Sequence, residues 1–452
     1  MLMSSYRGSS RSTLLLILLL IGALILPNVS GQAESAGSAR VIVVLRAPAA
    51  AEGDTSAAHF GITQAQDHVA AAATAAGARE VARLRTLPVL VLEAPHTAIE
   101  RLEQHPQVVA VAEDMLAAPH LTGSVALIHA DLVHPESTGA GAAIAILDTG
   151  IDATHPFLGG RVVAEACFST NNPGDGAVSL CPGGATEVIG PGAAAPCTVT
   201  GCDHGTHVAG IAAGNGGVAP GASIIAVQVF SKINNCSAFS LPSPCALSYV
   251  SDQLRALDWL ASTSFTPPLA VVNLSVGAGT FSSVAACEGS AVGAALKPAI
   301  TALRAGGVLT VASSGNGGAA NALSLPACLS NVVSVGATTK TTPEQVAWFS
   351  NSALFLTLLA PGVAITSSVP GGGSASKSGT SMAAPHVAGA IALLRSARPG
   401  HTPDSYVAAL ITTGVPITDT RNGLTKPRID VFAAVESLAP LEPKAFLPLV
   451  AR

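Results

Sequence analysis

The chain has 452 residues, of which 49% are hydrophobic and 11% are charged, and its formal net charge is −5. This length exceeds one average domain and allows a large buried core. The weak net charge and the lack of a Lys/Arg block exclude the basic surface typical of proteins that bind nucleic acid or anionic membranes, so we expect a polypeptide or small-molecule partner.

The N-terminus has the pattern of an export signal. Arg7 and Arg11 precede an apolar run at 14–26 that is shorter than the roughly 20 residues needed to span a bilayer. Residues suited to a helix break and a cleavage point follow, namely Pro27, Gly31 and Ala33. We therefore expect a signal peptide over residues 1–33 and a secreted, extracellular protein that keeps no membrane segment after signal removal. A retained transmembrane anchor is the alternative.

Residues 34–118 are predicted to form a separate small domain. Their apolar pattern alternates strands and helices in the order β-α-β-β-α-β, with strands at 41–45, 81–85, 88–93 and 108–112 and helices at 64–76 and 97–104. This order is typical of a ferredoxin-like α+β fold. A free-standing binding module is one interpretation of such a domain.

Residues 119–440 are predicted to form an α/β domain. Apolar strands are expected at 142–147, 223–230, 269–274, 308–312, 332–335 and 356–359, and helices at 204–213, 249–261, 292–305, 381–395 and 403–412. This alternation predicts a parallel sheet with helices on both faces. The segment 167–202, rich in Gly, Pro and Cys, is interpreted as an inserted, cross-linked loop. The sequence assigns no role to the tail at 441–452.

All eight cysteines lie after residue 160. An even number in an exported chain favours disulfides over reactive thiols, and the absence of paired Cys-x-x-Cys knuckles disfavours zinc. Eight cysteines allow many pairings, and the sequence does not choose among them. The pairs that we favour are Cys167/Cys181, Cys197/Cys202, Cys236/Cys245 and Cys287/Cys328.

The sequence Gly-Thr-Ser-Met-Ala-Ala-Pro-His at 379–386 opens an apolar helical stretch. At a helix N-terminus, the free N–H groups and the helix dipole favour the negative charge that develops when Ser381 acts as an acyl-transfer nucleophile. A serine hydroxyl also needs an adjacent base and an orienting carboxylate. Candidates are the histidines of His-Gly-Thr-His at 204–207 and the aspartate of Asp-Thr-Gly at 148–150, which ends a buried strand.

Each of these motifs has a simpler interpretation when it stands alone. The serine run is also compatible with a Gly/Ser turn before an ordinary helix, and Asp148 with a strand-end turn residue. The two histidines have the i, i+3 spacing of metal ligands, but no Glu or Cys lies close by in sequence to complete such a site.

Together the motifs closely resemble those of the subtilisin-like serine proteases, the subtilase family. The resemblance implies that Asp148 orients the base, His204 is the general base and Ser381 is the nucleophile, with His207 as a packed companion. The chain order Asp, His, Ser is that of subtilisin and differs from the orders in chymotrypsin-like enzymes and α/β-hydrolases. Because Ser381 does not lie in Gly-x-Ser-x-Gly, a lipase-type enzyme is disfavoured.

Two further runs match motifs of this family. The run Val-Ala-Ser-Ser-Gly-Asn-Gly at 311–317 implies that the Asn316 side chain and the Ser381 N–H stabilise the tetrahedral oxyanion. The family more often has alanines where Ser313 and Ser314 stand. The run 273–277 resembles the strand that pairs with an extended peptide substrate, although a plain core strand is the alternative. The implied substrate-binding residues are Ser275, Val276, Gly277, Ser314 and Gly315.

The resemblance therefore implies a secreted, self-processing serine endopeptidase with an inhibitory prodomain at 34–118 and a peptidase domain at 119–440. We expect a monomer, polypeptide substrates bound as an extended strand, no cofactor for catalysis, and self-cleavage between Asp114 and Leu121. Structural calcium stays open, because the sequence does not identify which residues would bind it. Two alternatives are a catalytically idle member, which would need a broken triad, and a processing protease for one precursor, which would favour a more demanding pocket.

Overall fold

The structure, a computed structural model, describes residues 38–46, 55–84, 87–114, 122–239 and 241–439. The described residues divide into two units on either side of residue 117. The predicted signal peptide, the self-cleavage window after Asp114 and the tail at 441–452 lie outside the described residues.

The first unit has the predicted β-α-β-β-α-β order. Its strands are β1 (Ser38–Leu45), β2 (Arg79–Arg83), β3 (Val89–Pro95) and β4 (Val108–Glu113), and its helices are α1 (Thr55–Ala75) and α2 (His96–Glu103). The strands form one sheet in the order β2-β3-β1-β4, with antiparallel pairing throughout. Alternate residues of β1 and β3 are buried, because only one face of this sheet packs against the core. The predicted ferredoxin-like fold is confirmed, although α1 begins at Thr55 and not at Gln64.

The strands of the second unit differ in length. In chain order they are β5 (Ala143–Asp148), β6 (Val162–Phe168), β7 (Ala177–Ser179), β8 (Glu187–Ile189), β9 (Ser223–Gln228), β10 (Ser231–Ile233), β11 (Cys245–Leu247), β12 (Leu269–Leu274), β13 (Ala278–Phe281), β14 (Leu309–Ser313), β15 (Leu323–Leu325), β16 (Val333–Thr338), β17 (Leu358–Pro361), β18 (Ile365–Val369), β19 (Gly373–Lys377), β20 (Val415–Thr418) and β21 (Thr425–Arg428).

The α-helices of this unit follow most of the longer strands. They are α3 (Thr122–Leu127), α4 (His204–Ala213), α5 (Val250–Ser262), α6 (Val284–Glu288), α7 (Ala291–Ala305), α8 (Thr380–Ala397), α9 (Pro403–Thr413) and α10 (Val431–Ser437).

Ten strands form one sheet in the order β20-β21-β17-β16-β14-β12-β5-β9-β6-β8. Neighbouring strands from β21 to β6 run parallel, and only the edge pairs β20–β21 and β6–β8 are antiparallel. The predicted α/β fold class is thereby confirmed. All six predicted strands and all five predicted helices are present, with ends that differ by only a few residues.

Both faces of the sheet are covered. Along β5, Ile144 and Ile146 pack in the core cluster that contains α4 and α8, whereas Ala145 and Leu147 pack in the cluster that contains α5 and α7. A strand buried on both faces has no polar side to alternate, which explains why β5 is apolar from Ala143 to Leu147.

The segment 167–202 is more structured than the loop predicted from its composition. It begins with the end of β6 and contains β7 and β8, and β8 forms an edge of the main sheet. Strand β7 pairs with β10, which in turn pairs with β11, so the segments before α4 and after β9 share a small sheet.

All eight cysteines form disulfides. The pairs are Cys167–Cys181, Cys197–Cys202, Cys236–Cys245 and Cys287–Cys328, with Cα–Cα distances between 5.2 and 6.2 Å. These are the four pairs favoured from the sequence. Three of them close short loops in the segments before α4 and after β9, where the buried apolar clusters are small and include the cysteines themselves.

Candidate active site

Three neighbouring strands end at the same edge of the main sheet. Leu147 of β5 lies beside Leu274 of β12, and Leu274 lies beside Ala312 of β14. Asp148, Ser275 and the loop that leads to Asn316 therefore leave the sheet side by side. Helix α8 contacts β12 and β14 and begins with Thr380, one residue before Ser381. This edge is where parallel α/β sheets place their sites.

Asp148 and His204 form a direct hydrogen-bonded pair. His204 Nδ1 lies 2.7 Å from Asp148 Oδ1 and 2.9 Å from Oδ2. Asp148 is completely buried, whereas the His204 side chain is 24% exposed. Because an ionised carboxylate only accepts hydrogen bonds, the Nδ1 atom carries the proton and Nε2 is left as the basic atom. Burial alone would lower the pKa of His204, but the charge and hydrogen bond of Asp148 outweigh burial and raise it.

A hydroxyl group fixes the start of α4 against the end of β5. Thr149 Oγ1 accepts the Gly205 N–H at 3.0 Å and donates to the Cys202 carbonyl at 3.3 Å. Gly205 has to be glycine, because a Cβ there would lie 2.3 Å from the Gly150 carbonyl oxygen and 3.2 Å from Asp148 Oδ1. The small residue lets the histidine helix approach the aspartate.

Ser381 is hydrogen-bonded to Ser275, the residue directly after β12. Its hydroxyl donates to the Ser275 carbonyl oxygen at 3.3 Å, and Ser275 Oγ donates to the Ser381 carbonyl oxygen at 3.0 Å. Ser275 Oγ itself accepts the side-chain amide of Asn273 at 2.9 Å. The residue predicted to be the nucleophile therefore lies against the strand predicted to bind substrate.

Asn316 is oriented by the residue next to Ser381. Its Oδ1 accepts the Thr380 N–H at 2.8 Å and the Thr380 hydroxyl at 2.9 Å. Since a backbone N–H can only donate, these contacts identify the oxygen of the amide and leave its NH₂ group as a donor. Gly315 has a φ of 108°, which favours glycine, and a Cβ there would lie 2.3 Å from Asn351 Nδ2.

The predicted substrate-binding residues lie on the two loops beside Ser381. Ser275 and Val276 are almost fully buried, and a Cβ on Gly277 would lie 3.2 Å from Ser324 Cβ. Ser314 is also buried, and its hydroxyl donates to the Asn351 carbonyl at 2.9 Å. The family more often has alanine at the position of Ser314. Because the Ser314 hydroxyl is hydrogen-bonded, it adds no free polar group there.

Two other histidines of the motifs are buried and neutral. His207 Nε2 lies 3.0 Å from the carbonyl oxygens of both Ile365 and Ala375, and burial lowers the pKa of His207 to about 4. His386 Nδ1 donates to the Met382 carbonyl at 2.8 Å, and burial lowers the pKa of His386 to about 4 as well. Among the three motif histidines, only His204 has a raised pKa.

Several residues that position the site were not predicted. Thr380 orients Asn316, Asn351 packs against Gly315, and Lys377 forms an ion pair with Asp203, the residue before His204. Thr380 lies inside the serine motif, which is a local signal. Lys377 and Asn351 are distant in sequence from their partners, so no local signal identifies them.

Comparison with known proteins identifies the family of this chain. Residues 139–429 match the model of the subtilase family, described as Peptidase_S8. The chain belongs to the subtilase family. It is 35% identical over 324 residues to an alkaline protease of Alkalihalobacillus alcalophilus, covering 70% of each chain. It is 32% identical over 318 residues to subtilisin E of Bacillus subtilis (strain 168), covering 68% of this chain and 70% of that protein.

A solved structure is also similar. A protease of Pseudoalteromonas arctica PAMC 21717 superposes with a TM-score of 0.54 at 26% identity, and the match covers 68% of this chain and 93% of that one. These relatives confirm the predicted subtilisin-like fold and make this subtilase a serine endopeptidase that acts on polypeptides.

The described residues contain neither a group of metal ligands nor a membrane-spanning helix. In the part of the chain that the structure describes, no three His, Cys, Asp or Glu side chains are grouped so that they could hold a metal ion. Within those same residues, none of the helices combines the length and apolar character needed to cross a bilayer.

Proposed function

We propose that this subtilase is a secreted endopeptidase in which Ser381 is the nucleophile, His204 the general base, Asp148 the orienting carboxylate and Asn316 an oxyanion donor. The observation that carries the proposal is the hydrogen bond between buried Asp148 and His204 Nδ1 at 2.7 Å, at the sheet edge where α8 presents Ser381.

The first half of the reaction forms an acyl-enzyme. The Ser381 hydroxyl leaves its hydrogen bond to the Ser275 carbonyl, gives its proton to His204 Nε2, and its oxygen attacks the scissile carbonyl carbon. The Asp148 carboxylate stabilises the imidazolium cation that results. As the tetrahedral intermediate collapses, the C–N bond breaks and His204 returns the proton to the leaving amine.

The second half of the reaction repeats these transfers with water. Water gives a proton to His204, adds to the acyl carbon, and the collapse that follows releases the acid product and returns the proton to Ser381. In both halves the negative charge on the carbonyl oxygen is held by the Asn316 NH₂ group and the Ser381 N–H at the start of α8. The chain's own residues, the substrate and water carry every proton in these steps, so no cofactor is required.

The proposed substrate is an extended polypeptide that pairs with the backbone of residues 275–277. Main-chain pairing provides affinity with little demand on the sequence of the substrate. The flanking residues Ser275, Val276, Gly277, Ser314 and Gly315 are uncharged, which favours a broad preference over recognition of a single precursor. The protease is expected to act as a monomer.

The precursor is proposed to process itself. The ferredoxin-like unit would act as an intramolecular inhibitor, with cleavage between Asp114 and Leu121. An intramolecular scissile bond has a high effective concentration at the nucleophile, which favours this cleavage over attack on other chains. Secretion is supported by the signal-like N-terminus and by the four disulfides.

One substitution tests both proposals. Ser381→Ala should abolish hydrolysis of an unstructured protein and should accumulate a proform that retains residues 34–120, because the variant lacks the attacking oxygen. Wild type should yield a new N-terminus between Asp114 and Leu121, read by N-terminal sequencing. The control is Ser262→Ala, which removes an exposed hydroxyl bonded to the Asp258 carbonyl on α5 and should behave as wild type.

The alternatives make different predictions. A catalytically idle peptide-binding member would show no hydrolysis even as wild type. Identical processing of wild type and Ser381→Ala in a host that lacks other proteases would mean that another enzyme performs the cleavage.

A further inference from the structure

An ion pair lies beside the proposed base and has no part in the chemistry above. Lys377 Nζ is 2.8 Å from Asp203 Oδ2. Asp203 directly precedes His204 at the start of α4, and Lys377 is the last residue of β19, shortly before Ser381. The side chains of Lys377 and Asp203 are 27% and 41% exposed, so the pair lies at the rim of the site.

The pair connects the two segments that carry the reacting side chains. From Lys377 the chain passes through Ser378, whose hydroxyl accepts the Ala364 N–H at 2.9 Å, and Gly379, whose N–H donates to the Gly362 carbonyl at 2.8 Å. It then enters α8 and reaches Ser381. Both contacts hold this segment against the residues between β17 and β18, so Lys377 and Ser381 are the two ends of one short, hydrogen-bonded segment.

Helix α4 contacts the β18–β19 hairpin at a second point. One turn after His204, the buried His207 donates from Nε2 to the Ile365 and Ala375 carbonyl oxygens, both at 3.0 Å. The base-carrying helix is therefore attached to β19 by a buried hydrogen bond and, nearer to His204, by the Asp203–Lys377 ion pair.

The two charges act on His204 in opposite directions. The titratable groups that face the imidazole are Asp148 from β5, Asp203 before α4, Lys377 from β19 and His207 within α4. Burial has the largest effect on the pKa of His204 and lowers it, and Asp148 has the next largest effect and raises it. The Lys377 cation lowers this pKa because it disfavours the imidazolium, and the Asp203 anion raises it. Partial burial would raise the pKa of Asp203, but its hydrogen bond and charge interaction with Lys377 lower it, so Asp203 is ionised at neutral pH.

We propose that Asp203 and Lys377 are positioning residues. Their ion pair connects the start of the His204 helix to the segment that carries Ser381, and the effects of their opposite charges on the imidazole offset each other. This inference rests on the proposed roles of His204 and Ser381. It assigns a mechanical and an electrostatic function to a contact that joins two distant parts of the chain.

The test compares Lys377→Gln, Asp203→Asn and the double variant as mature enzymes, with active sites counted by phosphonate titration. The readout is the acid limb of the pH profile of kcat/KM, with kcat measured at the plateau. Lys377→Gln should move the limb to higher pH and Asp203→Asn to lower pH, each by about 0.2 to 0.5 unit at low salt. Both shifts should shrink in 1 M salt because solvent-exposed charges are then screened.

The value of kcat at the pH plateau distinguishes loss of the connection between the two segments from loss of the electrostatic effect on His204. Each single variant should lose about 3- to 10-fold in kcat, because the tether between base and nucleophile is gone. In the double variant the limb should return to the wild-type pH while kcat stays low. Recovery of kcat in the double variant would overturn the tether, and limb shifts that are absent or of the same sign would overturn the charge balance.

Two controls complete the design. Lys297→Gln breaks a comparable ion pair with Glu288, 2.5 Å apart on the opposite face of the sheet, and should change neither the limb nor kcat. His204→Ala should be almost inactive. If His204→Ala keeps wild-type activity, the proposed triad is wrong; if it is inactive while the opposite shifts do not appear, only the positioning inference fails.

Discussion

At the scale of single residues, the site depends on polar side chains that hydrogen bonds hold in place, Asp148 and Asn316. Asp148 is fully buried, accepts the Thr149 N–H at 2.8 Å and accepts a hydrogen bond from His204 Nδ1, so its carboxylate is held beside the proposed base. Asn316 uses its oxygen on Thr380 and keeps its NH₂ group available. Both residues are fixed before substrate arrives, which is the condition for electrostatic stabilisation of a transition state.

Asn316→Ala should reduce kcat by about 10²- to 10³-fold with little change in KM, because the proposed donor would contact the oxyanion only in the transition state. That range is the one known for loss of the corresponding donor in subtilisin, a relative of this chain. Steady-state kinetics on a chromogenic peptide give both constants. A rise in KM that matches the loss in kcat/KM would instead place Asn316 in ground-state binding.

At the scale of elements, the proposed base His204 and the proposed nucleophile Ser381 lie on two helices, α4 and α8, that pack closely. Gly389 of α8 allows this approach, since a Cβ there would lie 2.7 Å from the Ala212 carbonyl oxygen of α4 and 2.7 Å from Val218 Cβ. The neighbouring backbone cannot move away without shifting α4, which carries His204.

Gly389→Ala should therefore lower the free energy of unfolding by about 1 to 3 kcal/mol, as expected for overpacking, and should also lower kcat. Urea unfolding of the phosphonate-inhibited enzyme measures the stability. Gly123→Ala on α3 is the matched control, because a Cβ there meets no atom within 4 Å. Equal stability of the two variants would contradict the close-packing argument.

The parts of the fold predicted from sequence are those with strong local patterns. Strands β5, β9 and β12 are mostly apolar because both of their faces are buried, and α4 and α8 begin within recognisable motifs. Strands β7, β8, β10 and β11 have three residues each, too few to show a period. The β18–β19 hairpin is rich in Ser and Gly and is held by His207, a contact between distant parts of the chain that no local pattern reveals.

At the scale of the whole molecule, buried neutral histidines link stability to pH. His207 and His386 are fully buried, and burial lowers the pKa of each to about 4. The unfolded chain takes up protons at these residues near pH 6.5, whereas the folded chain does so only near pH 4. The stability that they confer is therefore complete above pH 6.5 and is lost as the pH falls toward 4, by up to about 3 kcal/mol for each histidine.

Urea unfolding of the inhibited enzyme at pH 7 and pH 4.5 checks this linkage, and stability should be lower at pH 4.5. His207→Gln or His386→Gln should flatten the dependence, because glutamine keeps an amide donor and does not titrate. A variant with the wild-type pH dependence would show that its histidine is not the source.

Covalent labelling tests most directly whether Ser381 is the nucleophile of this subtilase. A serine-directed phosphonate should inactivate the mature enzyme with one adduct per chain, and peptide mapping by mass spectrometry should place that adduct on Ser381. Asn316→Ala should still accept the label, more slowly, because its nucleophile and base are intact. Full inactivation with the adduct on any other residue, or hydrolysis by Ser381→Ala at the wild-type rate, would show that Ser381 is not the nucleophile.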